Sequence, residues 1–206
     1  PDTTYGNESG GDPDVIPELT YEQYLDFHRN YYHPSNSYIY LYGDMDAEEK
    51  LRWLDEEYLS KYDYLEVHSE IYLQKPFEKP VNVRKYYNIS SSESEENNMY
   101  LSASWSIGTN LDRMQYIAFD ILDYALLSSQ GAPVKQALLD AGIGDDIYGG
   151  YDSGVYQPYF AVIAKNANAS DQEKFREVIR KTLEEQAENG VNRTTLLAAI
   201  NGAEFK

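Results

Sequence analysis

Two prolines four residues apart, Pro76 and Pro80, close the run Tyr72-Leu-Gln-Lys-Pro-Phe-Glu-Lys-Pro80. Each fixes φ and removes a backbone donor, so no helix crosses this run and an extended connector suits it. The chain is therefore expected to divide here, into a first part at residues 1–70, a linker at 71–82 and a second part at 83–206. A length of 206 residues accommodates one ordinary domain or parts of two. With 42% hydrophobic and 25% charged residues the composition is that of a globular protein rather than a disordered or fibrous one.

Ahead of the connector, residues 1–17 are rich in Gly, Pro, Asp and Asn and poor in apolar side chains, which is loop chemistry. Thr20 and Gln23 stand at capping-box spacing, flanked by Leu19 and Tyr24 as a hydrophobic staple, and predict a helix over 21–32. Pro34 stops it, and the Tyr- and Ile-rich run 37–43 predicts a strand ending at Gly43. Asp46 and Glu49 repeat the capping spacing before a second predicted helix, 47–61.

Beyond the connector, 81–89 and 99–107 read as two strands paired around a polar patch. Residues 111–127 form the longest apolar helical pattern, capped by Asn110. Pro133 opens a short helix over 134–141 that Gly142 ends. Strands are predicted at 147–155 and 159–165. Ser170 and Glu173 then cap a helix whose face carries Phe175, Val178, Ile179, Leu183 and Ala187, and a last helix begins near Thr194. Segregated strand pairs and helices imply an α+β fold with an antiparallel or mixed sheet and helices on one face.

The net charge of −18 argues against nucleic acid as a partner, because that binding rests on Lys and Arg neutralising phosphates. Eighteen acidic and six basic residues precede position 81, against seventeen and eleven after it, so the first part carries most of the field; a solubilising surface is the favoured reading of it, ahead of attraction of basic peptides. No apolar run is long enough for a membrane span. The absence of Cys removes disulfides and thiol chemistry and suits a reducing compartment, so the cytoplasm is the expected location.

The residues that catch the eye have bland readings. His28 and His33 are five apart and would point in different directions on one helix; with His68 they are the only histidines. Ser9-Gly-Gly-Asp12 lacks the Lys and the strand-loop-helix setting of a phosphate loop. Asp152-Ser-Gly154 has no His nearby in sequence and reads as a turn. The sequons at Asn7, Asn88, Asn168 and Asn192 lack a secretory context. The 21 tyrosines are read chiefly as packing residues on strands, with a peptide-binding surface as the sharper alternative.

The run Phe27-His-Arg-Asn-Tyr-Tyr-His-Pro-Ser-Asn-Ser37, continued by Tyr38-Ile-Tyr-Leu-Tyr-Gly-Asp44, resembles the presequence-protease branch of the pitrilysin/insulinase zinc metallopeptidases, the inverzincins. Pro1-Asp-Thr-Thr-Tyr-Gly-Asn-Glu-Ser-Gly-Gly-Asp-Pro13 and Ile16-Pro-Glu-Leu-Thr20 are similar to the same region, and Tyr100-Leu-Ser-Ala-Ser-Trp105 looks like the opening of the family's second α/β roll. The resemblance implies an internal fragment: 1–70 as the tail of the catalytic-type roll, and 83–206 as most of a second, metal-free roll.

The family's zinc site uses His-x-x-Glu-His plus a downstream Glu, two His on one helix face with an acid as base. Neither element occurs in this sequence; in the family both lie upstream. Zinc is thus implied for the parent enzyme only, with no catalytic or metal residues expected here and the substrate-binding residues unassigned. Peptide substrates and the remaining domains of the same chain are the implied partners. Two other functions compete: a peptidase-like scaffold subunit paired with a separate active subunit, and an unrelated soluble interaction domain.

Overall fold

The computed structural model describes residues 2–205. Backbone proximity groups the chain into two compact units, Pro1–Lys75 and Pro76–Lys206.

In the first unit the two capping signals produce the two helices. Thr20 Oγ1 accepts the Gln23 N–H at 3.2 Å while Gln23 Oε1 accepts the Thr20 N–H at 2.8 Å, and helix α1 runs Tyr21–Tyr31. Asp46 Oδ1 accepts the Glu49 N–H at 3.0 Å and opens α2, Ala47–Glu57. The helix expected to reach residue 61 ends earlier, and a 3₁₀ turn, Leu59–Lys61, takes over.

The strand expected at 37–43 is corrected: among the described residues this run joins no sheet. A strand is held by its ladder, and the first unit supplies none. Tyr40 and Tyr42 still place their rings 6.5 Å apart and nearly parallel, the same-side spacing that an extended run produces. Consequently Tyr38, Ile39, Tyr40, Leu41 and Tyr42 are all exposed.

The second unit holds the core. Strands β1 (Met99–Ser106), β2 (Asp146–Asp152) and β3 (Tyr159–Ala167) form one antiparallel sheet in the order β1-β3-β2. Central β3 pairs Phe160 with Trp105 on one side and with Tyr151 on the other. Being paired on both edges, it buries Phe160, Ala161, Val162, Ala164 and Ala167, whereas β2 buries only Ile147.

The expected pairing of β1 with 81–89 does not form; β1 pairs with β3 instead. Two asparagines fix that choice at the entrance to β1. Asn97, at φ 53°, donates its N–H to Asn168 Oδ1 at 2.8 Å, and Asn168 Nδ2 donates to Asn97 Oδ1 at 2.6 Å, tying the start of β1 to the exit of β3.

Helix α3, Arg113–Asp123, is capped by Asp112, which accepts the Gln115 N–H at 3.0 Å, and not by Asn110 as expected. Asn110 instead donates its N–H to Tyr156 O at 3.1 Å. The helix widens into one π turn, Tyr124–Ser128, so the apolar pattern read as one helix over 111–127 contains a change of pitch. Short α4, Pro133–Asp140, buries Val134 and Leu138 completely.

Helix α5, Gln172–Asn189, buries Phe175, Ile179 and Thr182, with Val178 and Leu183 packed against the core; each buried Phe or Ile contributes about 1.5–3 kcal/mol. Its entry is a capping box made by Asn168 and Asp171 around a 3₁₀ turn, not by the expected Ser170 and Glu173. Helix α6, Arg193–Phe205, completes the described residues. The architecture is α+β with an antiparallel sheet.

Candidate functional site

Most of the residues singled out in the sequence have a local structural role. His28 stacks on Tyr32 at 4.8 Å. His33 Nδ1 accepts the Ser35 N–H at 3.2 Å, and its ring meets the edge of Tyr62 at 5.3 Å. His68 is exposed. Among the described residues no group of three or more His, Cys, Asp or Glu side chains is placed to hold a metal ion, so the residues present do not fit a catalytic zinc. In the Ser9–Asp12 turn, Gly11 donates to Glu8 O. Asp152 closes its own turn by accepting the Gly154 N–H at 3.0 Å and takes the Tyr159 hydroxyl at 3.0 Å. Nineteen of the 21 tyrosines are exposed, which corrects the reading of them as strand-packing residues.

The feature with chemistry to offer is the outer edge of β2. Gly149 and Gly150 occupy its middle at φ 136° and 142°. A Cβ at Gly149 would lie 2.1 Å from Ala161 O of the neighbouring strand, and one at Gly150 would lie 2.7 Å from Asp123 Oδ2. Only glycine serves at both. The Tyr151 N–H turns away from β3 and donates to Asp123 Oδ2 at 3.3 Å. Alternation along an antiparallel ladder puts the Gly149 N–H and C=O on that same outer side, where no further strand follows among the described residues.

Asp123 is held in turn from the π turn, since Ser128 Oγ donates to its Oδ1. Tyr151 packs its ring on Phe119 at 5.4 Å and on Tyr116 at 6.1 Å. Its hydroxyl oxygen is buried, with no hydrogen-bond partner among the described residues. Burial raises the pKa of that phenol, with Tyr116, Asp112 and Asp120 adding to the effect. The hydrogen bond to Asp152 is the main cause that raises Tyr159, followed by burial.

An apolar cleft of about 210 Å³ opens in the same unit, lined by Trp105, Phe119, Leu122, Phe160 and Leu183 among others. Ser128 Oγ and the Asp123 carboxylate meet at the β2 edge, but the hydrogen bond between them serves to hold Asp123 against it. At Gly149 the edge offers a backbone donor and acceptor, bounded on one side by the Asp123 carboxylate that already takes the Tyr151 N–H, a short stretch of the kind to which an extended peptide adds as a strand. The signal lies in Tyr148-Gly-Gly-Tyr151, because glycines inside a strand pattern mark close backbone approach, and it is absent from the candidates drawn from the sequence above.

Residues 18–202 match the family model described as the peptidase M16 inactive domain. Over its whole length the chain is 45% identical to Protein HypA of Clostridium perfringens and 34% identical to presequence protease 1, chloroplastic/mitochondrial, of Arabidopsis thaliana, covering 21% and 19% of those proteins. The chain thus spans about a fifth of the curated relatives it matches. Two solved structures share the fold. A protease from Helicobacter pylori has a TM-score of 0.60 at 17% identity, over 95% of this chain and 46% of that one. A putative M16-like peptidase from Alicyclobacillus acidocaldarius has a TM-score of 0.54 at 21% identity, over 96% and 46%.

Proposed function

The chain belongs to the peptidase M16 family as its inactive domain, and from that premise we propose that it is a non-catalytic section of a larger zinc-dependent metalloendopeptidase that degrades unstructured peptides. In the parent, this section forms wall of the enclosed chamber and supports the catalytic roll. Zinc belongs to the part of the parent that carries the metal motif, and the remaining domains of the same chain are its partners. Residues 1–70 are read as the tail of the catalytic-type roll, 71–82 as linker and 83–206 as the second roll. The lack of Cys supports a reducing compartment such as the cytoplasm; among the described residues no helix is long and apolar enough to cross a membrane.

The observation that carries the reading is the inactive-domain match over 18–202, and the open edge of β2 gives it a physical role. A peptide laid beside Gly149 gains main-chain hydrogen bonds at a residue that carries no side chain, with Asp123 the neighbouring group on that edge, so recognition there rests on backbone more than on sequence.

The test compares the full-length parent with the 206-residue chain on one unstructured peptide. The parent is expected to cleave it, to lose activity to a chelator and to carry His-x-x-Glu-His upstream, while this chain alone leaves the peptide intact. Cleavage by the 206-residue chain overturns the proposal. A parent without the motif, active only beside a second polypeptide, replaces it with the scaffold-subunit reading.

A further inference from the structure

Two Asn-Gly pairs occur in the sequence, Asn189-Gly190 and Asn201-Gly202. In such a pair the glycine backbone nitrogen is positioned to attack the Asn side-chain carbonyl carbon, because no Cβ on the following residue hinders it. The N–Cγ bond forms, the bond from Cγ to the side-chain amide nitrogen breaks, and ammonia leaves. Water then opens the resulting succinimide at either carbonyl, giving aspartate or isoaspartate. Ring closure requires that the glycine N–H be free and that the Asn ψ rotate out of the helical range. The fold sets the two pairs apart on both counts.

Asn201 and Gly202 lie within α6. Inside a helix the N–H is committed to the carbonyl four residues back, and the helical ψ holds the next nitrogen along the axis. Asn189, by contrast, is the last residue of α5, and Gly190 follows it outside the helix at φ 81° and ψ 157°. The residues that follow α1, α2 and α4 each return their N–H to the helix, Tyr32 to His28 O, Tyr58 to Leu54 O and Ala141 to Ala137 O. Gly190 does not: among the described residues its N–H has no acceptor.

The carbon under attack is equally open. Asn189 is exposed, and its side chain makes no hydrogen bond among the described residues. Other asparagines are held: Asn192 Oδ1 accepts the Thr195 N–H at 3.1 Å, and Asn166 Nδ2 donates to Asp145 Oδ1 at 3.0 Å. A Cβ at Gly190 would meet nothing within 4 Å, so no neighbouring group crowds the ring as it closes.

We propose that Asn189-Gly190 is a site of spontaneous deamidation and isoaspartate formation, selected by the free end of α5 over the same pair inside α6. The change falls on the short connection 190–192 between the two helices. Either product places a carboxylate at the C-terminal end of α5, which already carries partial negative charge, and isoaspartate also lengthens the main chain there. The reaction needs only water, so it stands or falls apart from the parent's activity and from the β2 edge.

The experiment ages the native 206-residue chain in mildly alkaline buffer at physiological temperature and maps isoaspartate by peptide mass spectrometry with an isoaspartyl methyltransferase label. A second sample is aged in guanidinium chloride. In the native chain isoaspartate is expected at position 189, with position 201 slower by about tenfold, equivalent to a local opening of α6 that costs about 1.4 kcal/mol. In denaturant the two rates are expected to converge, because both pairs share the chemistry once the helices are gone. Asn189→Gln, whose longer side chain requires a larger ring, is expected to lose the signal at 189 and keep that at 201. Equal rates at the two positions in the native chain, faster conversion at 201, or a difference that persists undiminished in denaturant each overturns the proposal.

Discussion

Asp123, the last residue of α3, accepts the backbone N–H of Tyr151 in β2 at 3.3 Å while its other oxygen holds Ser128. One carboxylate thereby joins the end of a helix, the π turn behind it and the edge of the sheet. Asp123→Ala removes both bonds and is expected to lower stability by about 1–3 kcal/mol. Asp123→Asn, which keeps one acceptor oxygen, should lose less. Urea midpoints at unchanged m-value check the order, and equal losses would show that Asp123 acts by shape alone.

Gly149→Ala sets a Cβ 2.1 Å from Ala161 O at a φ of 136°, where neither backbone has a flexible side chain to move. A loss of about 3 kcal/mol or more is expected. Gly131→Ala, with φ 70° but nothing within 4 Å, carries backbone strain alone and should cost about 1–2 kcal/mol. Thermal melts of the two variants side by side decide whether contact or conformation dominates.

Tyr151 and Tyr159 both have raised pKa values, so the folded state holds their neutral forms more strongly than the unfolded chain does. Their contribution to stability is complete below the ordinary phenol pKa of about 10 and is lost as pH climbs through the folded values. Phenolate absorbance should therefore show two late-titrating tyrosines in the native protein. Tyr159→Phe should remove one of them; two late titrations persisting in that variant would assign the effect elsewhere.

Amide exchange should separate the chain at its connector. Ile39 and Leu41, exposed and outside any sheet, are expected to exchange fast, whereas Ile117 and Leu122 within α3 are protected. Limited proteolysis near Pro76 to Pro80 should precede cutting in α3. Equal protection of all four amides in a dilute monomer would show that residues 37–43 complete a core of their own.

Metal analysis of the chain purified without chelator should find no stoichiometric zinc. The rings of His28 and His33 are engaged with Tyr32 and Tyr62, so zinc held by these two would contradict the site described above.

What the sequence disclosed and what it withheld follow from the range of the forces involved. Thr20 with Gln23, Asp46 with Glu49 and the Phe175–Ile179 stripe act within a turn or two of helix, and their helices form, although α2 stops at Glu57 and the cap ahead of α5 is Asn168 with Asp171. β1 finds its partner in β3, with Asn97 and Asn168, 71 positions apart, bonded where the two strands meet, and no local pattern carries that information. The run 37–43 has every local mark of a strand and no ladder to join. For the candidate edge, Gly149 and Gly150 were visible as letters, but that Asp123 would meet them required the fold.

The glycine pair has a further consequence in handedness. A φ near +140° has the opposite sign to that of an ordinary strand residue, so at these two positions β2 asks for a backbone that L side chains rarely adopt. Glycine, being achiral, is the only encoded residue that meets the demand. A semisynthetic chain could meet it another way: D-alanine at position 149 is expected to accept the positive φ more readily than L-alanine, whose methyl would lie 2.1 Å from Ala161 O, and so to cost less stability.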